Sequence, residues 1–163
     1  MRPLPVYVAV CGGGDATGDD VETAEEVGRL LAREHAVVIC GGLGGVMDAV
    51  ARGVAAEVGV SIGILPGRDR KDQGGHLTYS IPTGLGEARN TLVVSAADAV
   101  IAIGGEFGTL SEIAFALRIG VPVVGLRTWE LAKRDGPVDA YPVAETAAEA
   151  VRRAMDAARD RVR

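Results

Sequence analysis

The sequence has no block of positive charge, few aromatic residues, two cysteines, two lysines and no apolar run long enough to span a bilayer. Each shortage removes a class of function. The formal net charge is -5, and a protein that holds nucleic acid by counterion release needs the opposite sign, so no nucleic-acid partner is expected. Basic residues do crowd the last helix, at Arg152, Arg153, Arg159, Arg161 and Arg163. Glu149, Asp156 and Asp160 interleave with them, as on a solvated helix face. Without a membrane-spanning run no membrane partner is expected. Residues 1–10 show no basic region, long apolar stretch or small-residue cleavage site, which points to the cytoplasm.

Cys11 and Cys40 each belong with an apolar run, and they read as small buried hydrophobes rather than a disulfide. Together with His35 and His76 they form no zinc spacing. Asp15, Asp19 and Asp20 fit turn and cap positions better than a metal cage, so neither a metal nor a resident cofactor is expected. Lys71 and Lys133 are the only lysines, and both fall in polar stretches. A pyridoxal phosphate Schiff base requires a desolvated lysine, which argues against an amino-acid decarboxylase.

What remains is a chain of 163 residues, 48% hydrophobic, about the size of one domain with one good core. Short β-branched runs alternate with longer helical stretches. Strands are expected over residues 6–10, 36–40, 61–65, 99–103 and 123–126, with a shorter one near 77–81. Helices are expected over 20–34, 46–58, 87–97, 109–119 and 143–162, the first capped by Asp19 or Asp20. The strands are apolar throughout, as when both faces are covered. The fold class is α/β: a Rossmann-like, three-layer open parallel sheet with helices on both faces, over a single domain 1–163.

In such sheets ligands lie beyond the carboxyl ends of the strands, where strand order reverses. The glycine-rich turns fall there: Gly12 and Gly13 after the first strand, then Gly41, Gly42 and Gly45 with Met47 after the second. The third turn is Gly104-Gly105-Glu106-Phe107-Gly108-Thr109. Glycines admit close approach of backbone to a ligand, and a following helix points free N–H groups at a phosphate. These turns lack the dinucleotide fingerprint, because Thr17 and Met47 occupy its third glycine positions, and no Gly-x4-Gly-Lys-Ser/Thr run occurs. NAD binding and P-loop hydrolysis are not expected. Thr109-Leu-Ser-Glu112 also matches a capping box, so spacing alone leaves Glu112 divided between structure and function. Arg89 opens a helix, where its charge opposes the dipole unless an anion compensates it.

Three segments resemble the LOG-like, "lysine decarboxylase-like" family, which includes cytokinin riboside 5'-monophosphate phosphoribohydrolases. They are Gly41-Gly-Leu-Gly-Gly-Val-Met-Asp48, Ile81-Pro-Thr-Gly-Leu-Gly-Glu-Ala-Arg-Asn90 and Ile103-Gly-Gly-Glu-Phe-Gly-Thr-Leu-Ser-Glu112. More closely, the chain resembles the branch that is also similar to molybdenum cofactor carrier proteins. The resemblance implies Arg89 and Glu112 as catalytic residues and a homodimer or higher homo-oligomer. It also departs from the hydrolase pattern: Ile103 stands for a proline, Asn90 for the lysine after the arginine, and Glu87-Ala88 for Met-His. Two readings follow. One is hydrolysis of the N-glycosidic bond of a nucleoside 5'-monophosphate such as AMP. The other is a non-catalytic carrier or sensor of a phosphorylated ligand, a nucleotide or a molybdopterin-like cofactor. The apolar residues Leu92, Val93, Val94, Ala96 and Ala97 independently suggest self-association.

Overall fold

The computed structural model describes residues 4–162. Six strands form one parallel sheet: β1 (Tyr7–Gly12), β2 (Val37–Cys40), β3 (Val60–Leu65), β4 (Tyr79–Pro82), β5 (Ala99–Ile103) and β6 (Val123–Leu126), in the order β4-β3-β2-β1-β5-β6. From β1 the chain steps outward through β2, β3 and β4, then returns past β1 to lay down β5 and β6. Strand order therefore reverses between β1 and β5. A two-stranded hairpin, β7 (Ala132–Lys133) with β8 (Gly136–Pro137), lies outside this sheet and carried no signal in the sequence.

The helices are α1 (Gly18–Arg33), α2 (Val46–Ala56), α3 (Asn90–Ser95), α4 (Phe107–Ile119) and α5 (Ala147–Val162). On one face of the sheet α1, α2 and α5 bury Val8, Val10, Val38, Ile101 and Leu126. On the other, α3 and α4 cover Ala9, Cys11, Val100, Ala102 and Val123. Helices thus lie on both faces, as expected. Among the described residues no helix is long and apolar enough to cross a membrane.

Several boundaries differ from the sequence reading, each for a local reason. Thr17 holds the N-cap position of α1, without a side-chain cap bond, and Asp19 and Asp20 sit in the first turn facing the positive end of the dipole. The helix expected over 87–97 is split: Gly84 and Gly86 take positive φ, a 3-10 turn follows at Gly86–Arg89, and only then does α3 begin. The last helix starts at Ala147 rather than 143. Val143 forms a parallel bridge to Gly125, with Gly125 N–H donating to Pro142 O and Ala144 N–H to Gly125 O.

Helices α1 and α2 meet through glycine. A Cβ on Gly28 would stand 2.2 Å from Val50 O, and one on Gly53 would stand 2.0 Å from Glu25 O. The backbones touch there, bringing α2 down beside α1.

Past the end of α2, Val58 adopts φ 55 with its side chain 93% exposed. This is the left-handed position that usually ends a helix on glycine, and a β-branched residue is strained in it. Replacing Val58 with Gly should raise stability by about 1 kcal/mol, read as a higher denaturant midpoint at unchanged slope. A lower midpoint would mean that the entropy gained by the unfolded chain outweighs the strain.

Candidate functional site

At the reversal between β1 and β5 the sheet opens into a cavity of ≈ 420 Å³, within the usual range for a small-molecule site. Five polar or charged side chains are buried among the described residues, and four of them, Arg89, Asn90, Thr109 and Glu112, line this one cavity. Burial of polar groups is costly unless they are satisfied, so their convergence marks the place where the fold gives up stability.

Arg89 comes from the 3-10 turn before α3 and is 7% exposed. Its Nη2 donates to Gly41 O at 3.2 Å, and its Nη1 donates to Asn90 Oδ1. Its Nε–H is buried without a partner. A buried guanidinium N–H without a partner is costly, so Arg89 is held here at the expense of stability.

Glu112 lies on α4. The helix begins at Phe107 with Glu106 in the cap position and no side-chain cap bond, so the capping-box reading of Thr109 and Glu112 does not hold. Glu112 faces the cavity instead. Burial drives its pKa from 4.5 up to about 7, against the opposing effects of the Cys11 thiol and the Arg89 guanidinium. Burial and the Glu112 carboxylate in turn push the Cys11 thiol well up, so Cys11 stays protonated as a donor beneath the floor. Cys40, on the opposite sheet face, is also buried and raised to about 11.

The glycine turns divide into those that line the cavity and those that shape it. Gly12, Gly13, Gly105 and Gly108 line it, with Met47 and Glu106. Gly45, at φ 61, instead presses on Gly13 O and Gly14 O, where a Cβ could not fit. Gly41 supports Arg89, Gly42 packs on Leu65, and Gly104 closes on Asp20. Phe107 points away from the cavity, 75% exposed, with its ring 5.5 Å from that of Trp129. Trp129, partly buried against the core on this face of the sheet, donates its indole N–H to Glu106 O.

The sequence reading missed Gly14, Asp15, Thr17, Asp20, Leu43 and Asn90, which also line the cavity. Asn90 had a signal, since it follows Arg89 at the same turn. Thr17 and Asp20 bring the start of α1 to the cavity, and Gly108 and Thr109 bring the start of α4. The first N–H groups of a helix have no partner within it, so two sets of donors open onto one space. Side-chain charge runs the other way: Asp15, Asp20, Glu87, Glu106 and Glu112 line the cavity against the single Arg89. Asp20 is held by Arg127 at 3.2 Å. An anion here is bound by backbone N–H groups and one guanidinium, not by a field of cations. Lys71 and Lys133 are exposed and outside the cavity.

The model of the SLOG cluster4 family matches residues 5–155, and its superfamily includes the LOG-like proteins. An uncharacterised protein of Archaeoglobus fulgidus is 39% identical over 122 residues, 75% of this chain and 80% of that protein. Among solved structures, the molybdenum cofactor binding protein of Rippkaea orientalis is similar at a TM-score of 0.83 and 31% identity, covering 96% of this chain and 98% of that one. The molybdenum cofactor carrier protein of Chlamydomonas reinhardtii is similar at a TM-score of 0.80 and 26% identity, covering 94% and 98%. DNA processing protein A of Helicobacter pylori, which binds single-stranded DNA, shares the fold at a TM-score of 0.69 and 18% identity, covering 93% of this chain and 81% of that one. This likeness corrects the exclusion of nucleic acid from the sign of the net charge. The same fold supports a nucleic-acid binder, and net charge by itself does not decide the matter.

Proposed function

The chain belongs to the SLOG cluster4 family, and on that premise we propose that it is a binding protein for a small phosphorylated ligand, acting as a carrier or sensor. The observation that carries the reading is a buried arginine, Arg89, with its Nε–H left unpaired, in the lining of a cavity onto which two helix N-termini open. The phosphate is held by the N–H groups at the starts of α1 and α4, and Arg89 completes its coordination. A planar heterocycle then packs on the apolar lining residues Leu43, Met47 and Pro66. Similarity to molybdenum cofactor binding and carrier proteins along nearly the whole chain favours a molybdopterin-like cofactor over a nucleotide. Asn90, where the hydrolases have a lysine, removes one of their two adjacent cations and favours binding over turnover.

Calorimetric titration with the phosphorylated cofactor and with AMP tests this directly. Arg89→Ala should weaken binding by about 2–3 kcal/mol, roughly 30–150-fold, and Arg89→Lys should not restore it, because a point charge cannot replace the guanidinium fork. Equal affinity of wild type and Arg89→Ala would overturn the reading.

One observation favours a second reading, hydrolysis of the N-glycosidic bond of a nucleoside 5'-monophosphate to base and ribose 5-phosphate. A buried carboxyl at about 7 beside Arg89 can be ionised near neutrality, and an ionised Glu112 would stabilise an oxocarbenium-like ribose and orient water. Base release would then rise with pH through about 7 and vanish in Glu112→Gln. Chromatography of AMP incubated with wild type separates the readings: free base supports hydrolysis, and bound but intact nucleotide supports the carrier.

A further inference from the structure

Residues 126–129, where β6 ends, line none of the cavity, yet each of them holds a part of its wall. Leu126 O accepts from Gly104 N–H at 3.1 Å, and Thr128 Oγ1 donates to Gly104 O at 2.6 Å. Trp129 donates its indole N–H to Glu106 O. Arg127 reaches elsewhere, to the first turn of α1. Its Nη2 lies 3.2 Å from Asp19 O, 3.2 Å from Asp20 Oδ1 and 2.7 Å from Thr23 Oγ1. One short strap thus touches both the glycine turn after β5 and the helix start that open onto the cavity.

Stability does not account for Arg127. Its backbone takes φ 44, in the left-handed region where a residue with a Cβ is strained. Its side chain is 49% exposed, and an exposed ion pair returns little to the fold. Leu126 and Thr128 already fasten the glycine turn through a backbone carbonyl and a hydroxyl. What Arg127 adds to the strap is positive charge, and it delivers that charge to Asp20.

Asp20 is where the charge matters. Its carboxylate lines the cavity in the first turn of α1 and packs on the glycine turn, where a Cβ on Gly104 would meet Oδ2 at 2.3 Å. With the cavity empty, a carboxylate at this position is favourable, because it faces the positive end of the helix dipole. An anionic ligand drawn to the same helix start is repelled by it. Of the five carboxylates that line the cavity, Asp20 is the one in an ion pair among the described residues.

We propose that Arg127 is a positioning residue that sets the anion preference of the cavity by screening Asp20. Paired with Arg127, Asp20 no longer opposes a phosphate at the start of α1, and its carboxylate is held against Gly104 instead of turning toward the ligand. This rests on the phosphate-binding reading above and names how that site tolerates an acidic residue in its own wall.

Calorimetric titration of the full chain with inorganic phosphate, at fixed ionic strength, tests it. Arg127→Gly suits the left-handed backbone, so it removes the guanidinium without endangering the fold. It should bind phosphate about 10-fold more weakly than wild type. Adding Asp20→Asn to Arg127→Gly removes the unscreened charge and should return affinity to within about twofold of wild type. A merely structural tie predicts no such rescue, because the double variant restores no bond. Wild-type affinity in Arg127→Gly overturns the proposal, and so does a loss that Asp20→Asn fails to restore. Both results leave the phosphate reading standing as long as wild type binds phosphate and Arg89→Ala binds it less. A wild type that binds no phosphate overturns that reading and this proposal together.

Discussion

Glu112→Gln should melt roughly 6–12 °C higher than wild type well above pH 7, with the difference vanishing below pH 4.5. The folded carboxyl titrates at about 7 and the unfolded one near 4.5, because burial favours the neutral form. Between these values the folded state binds the extra proton. Its stability is therefore fully present below 4.5, falls as pH rises through 7, and stays low beyond. At 1.36 kcal/mol per pH unit, ionising this buried group costs the fold about 3 kcal/mol. Gln keeps the shape and the neutral charge of the protonated acid, so the variant escapes that cost. For a chain of this length each kcal/mol moves the melting temperature by about 2–4 °C. Melting curves of both proteins across pH check the result. Parallel curves at all pH values would show that Glu112 is solvated in the folded protein. A residue whose removal stabilises the fold is one that folding alone does not explain, and this argues for function at the cavity under either reading.

Gly53→Ala should destabilise the protein by about 3 kcal/mol and lower its melting temperature by roughly 6–12 °C. Helix propensity alone predicts the opposite sign, since Ala gains about 1 kcal/mol over Gly in a helix interior. The contact decides. A Cβ at Gly53 would meet Glu25 O at 2.0 Å, and a backbone oxygen held by its own helix cannot swing aside as a side chain can. α1 and α2 would have to part, opening the packing of Val27, Leu31, Val50 and Val54 between them. Gly28→Ala makes the mirror-image clash with Val50 O. Because one separation relieves both, the double variant should lose less than the sum of the single losses. A double-mutant cycle by chemical denaturation measures this. Full additivity would show that the helices yield locally at each glycine rather than moving as bodies.

The sequence by itself determined the strands of the parallel sheet, the class of fold and the edge of the sheet on which the cavity opens. β5 and β6 were legible to the residue because they are buried on both faces, and an apolar run bounded by glycine or proline leaves little ambiguity. The glycine turns located the cavity because close approach of backbone to a ligand restricts the residue type. Residue identity was silent wherever a side chain's role depends on what lies across space. Thr109-Leu-Ser-Glu112 satisfies the capping spacing, and only the start of α4 at Phe107 turned Glu112 toward the cavity. Gly41, Gly42, Gly45, Gly104 and Gly105 look alike along the chain; packing made Gly105 a wall of the cavity and the others its supports. Gly28 and Gly53 read as weak points of two helices until the helices were seen to touch through them. Local composition settles which elements form, since burial and backbone freedom act residue by residue. Tertiary structure alone decides which groups are left buried and unpaired, because that depends on what lies across space rather than along the chain.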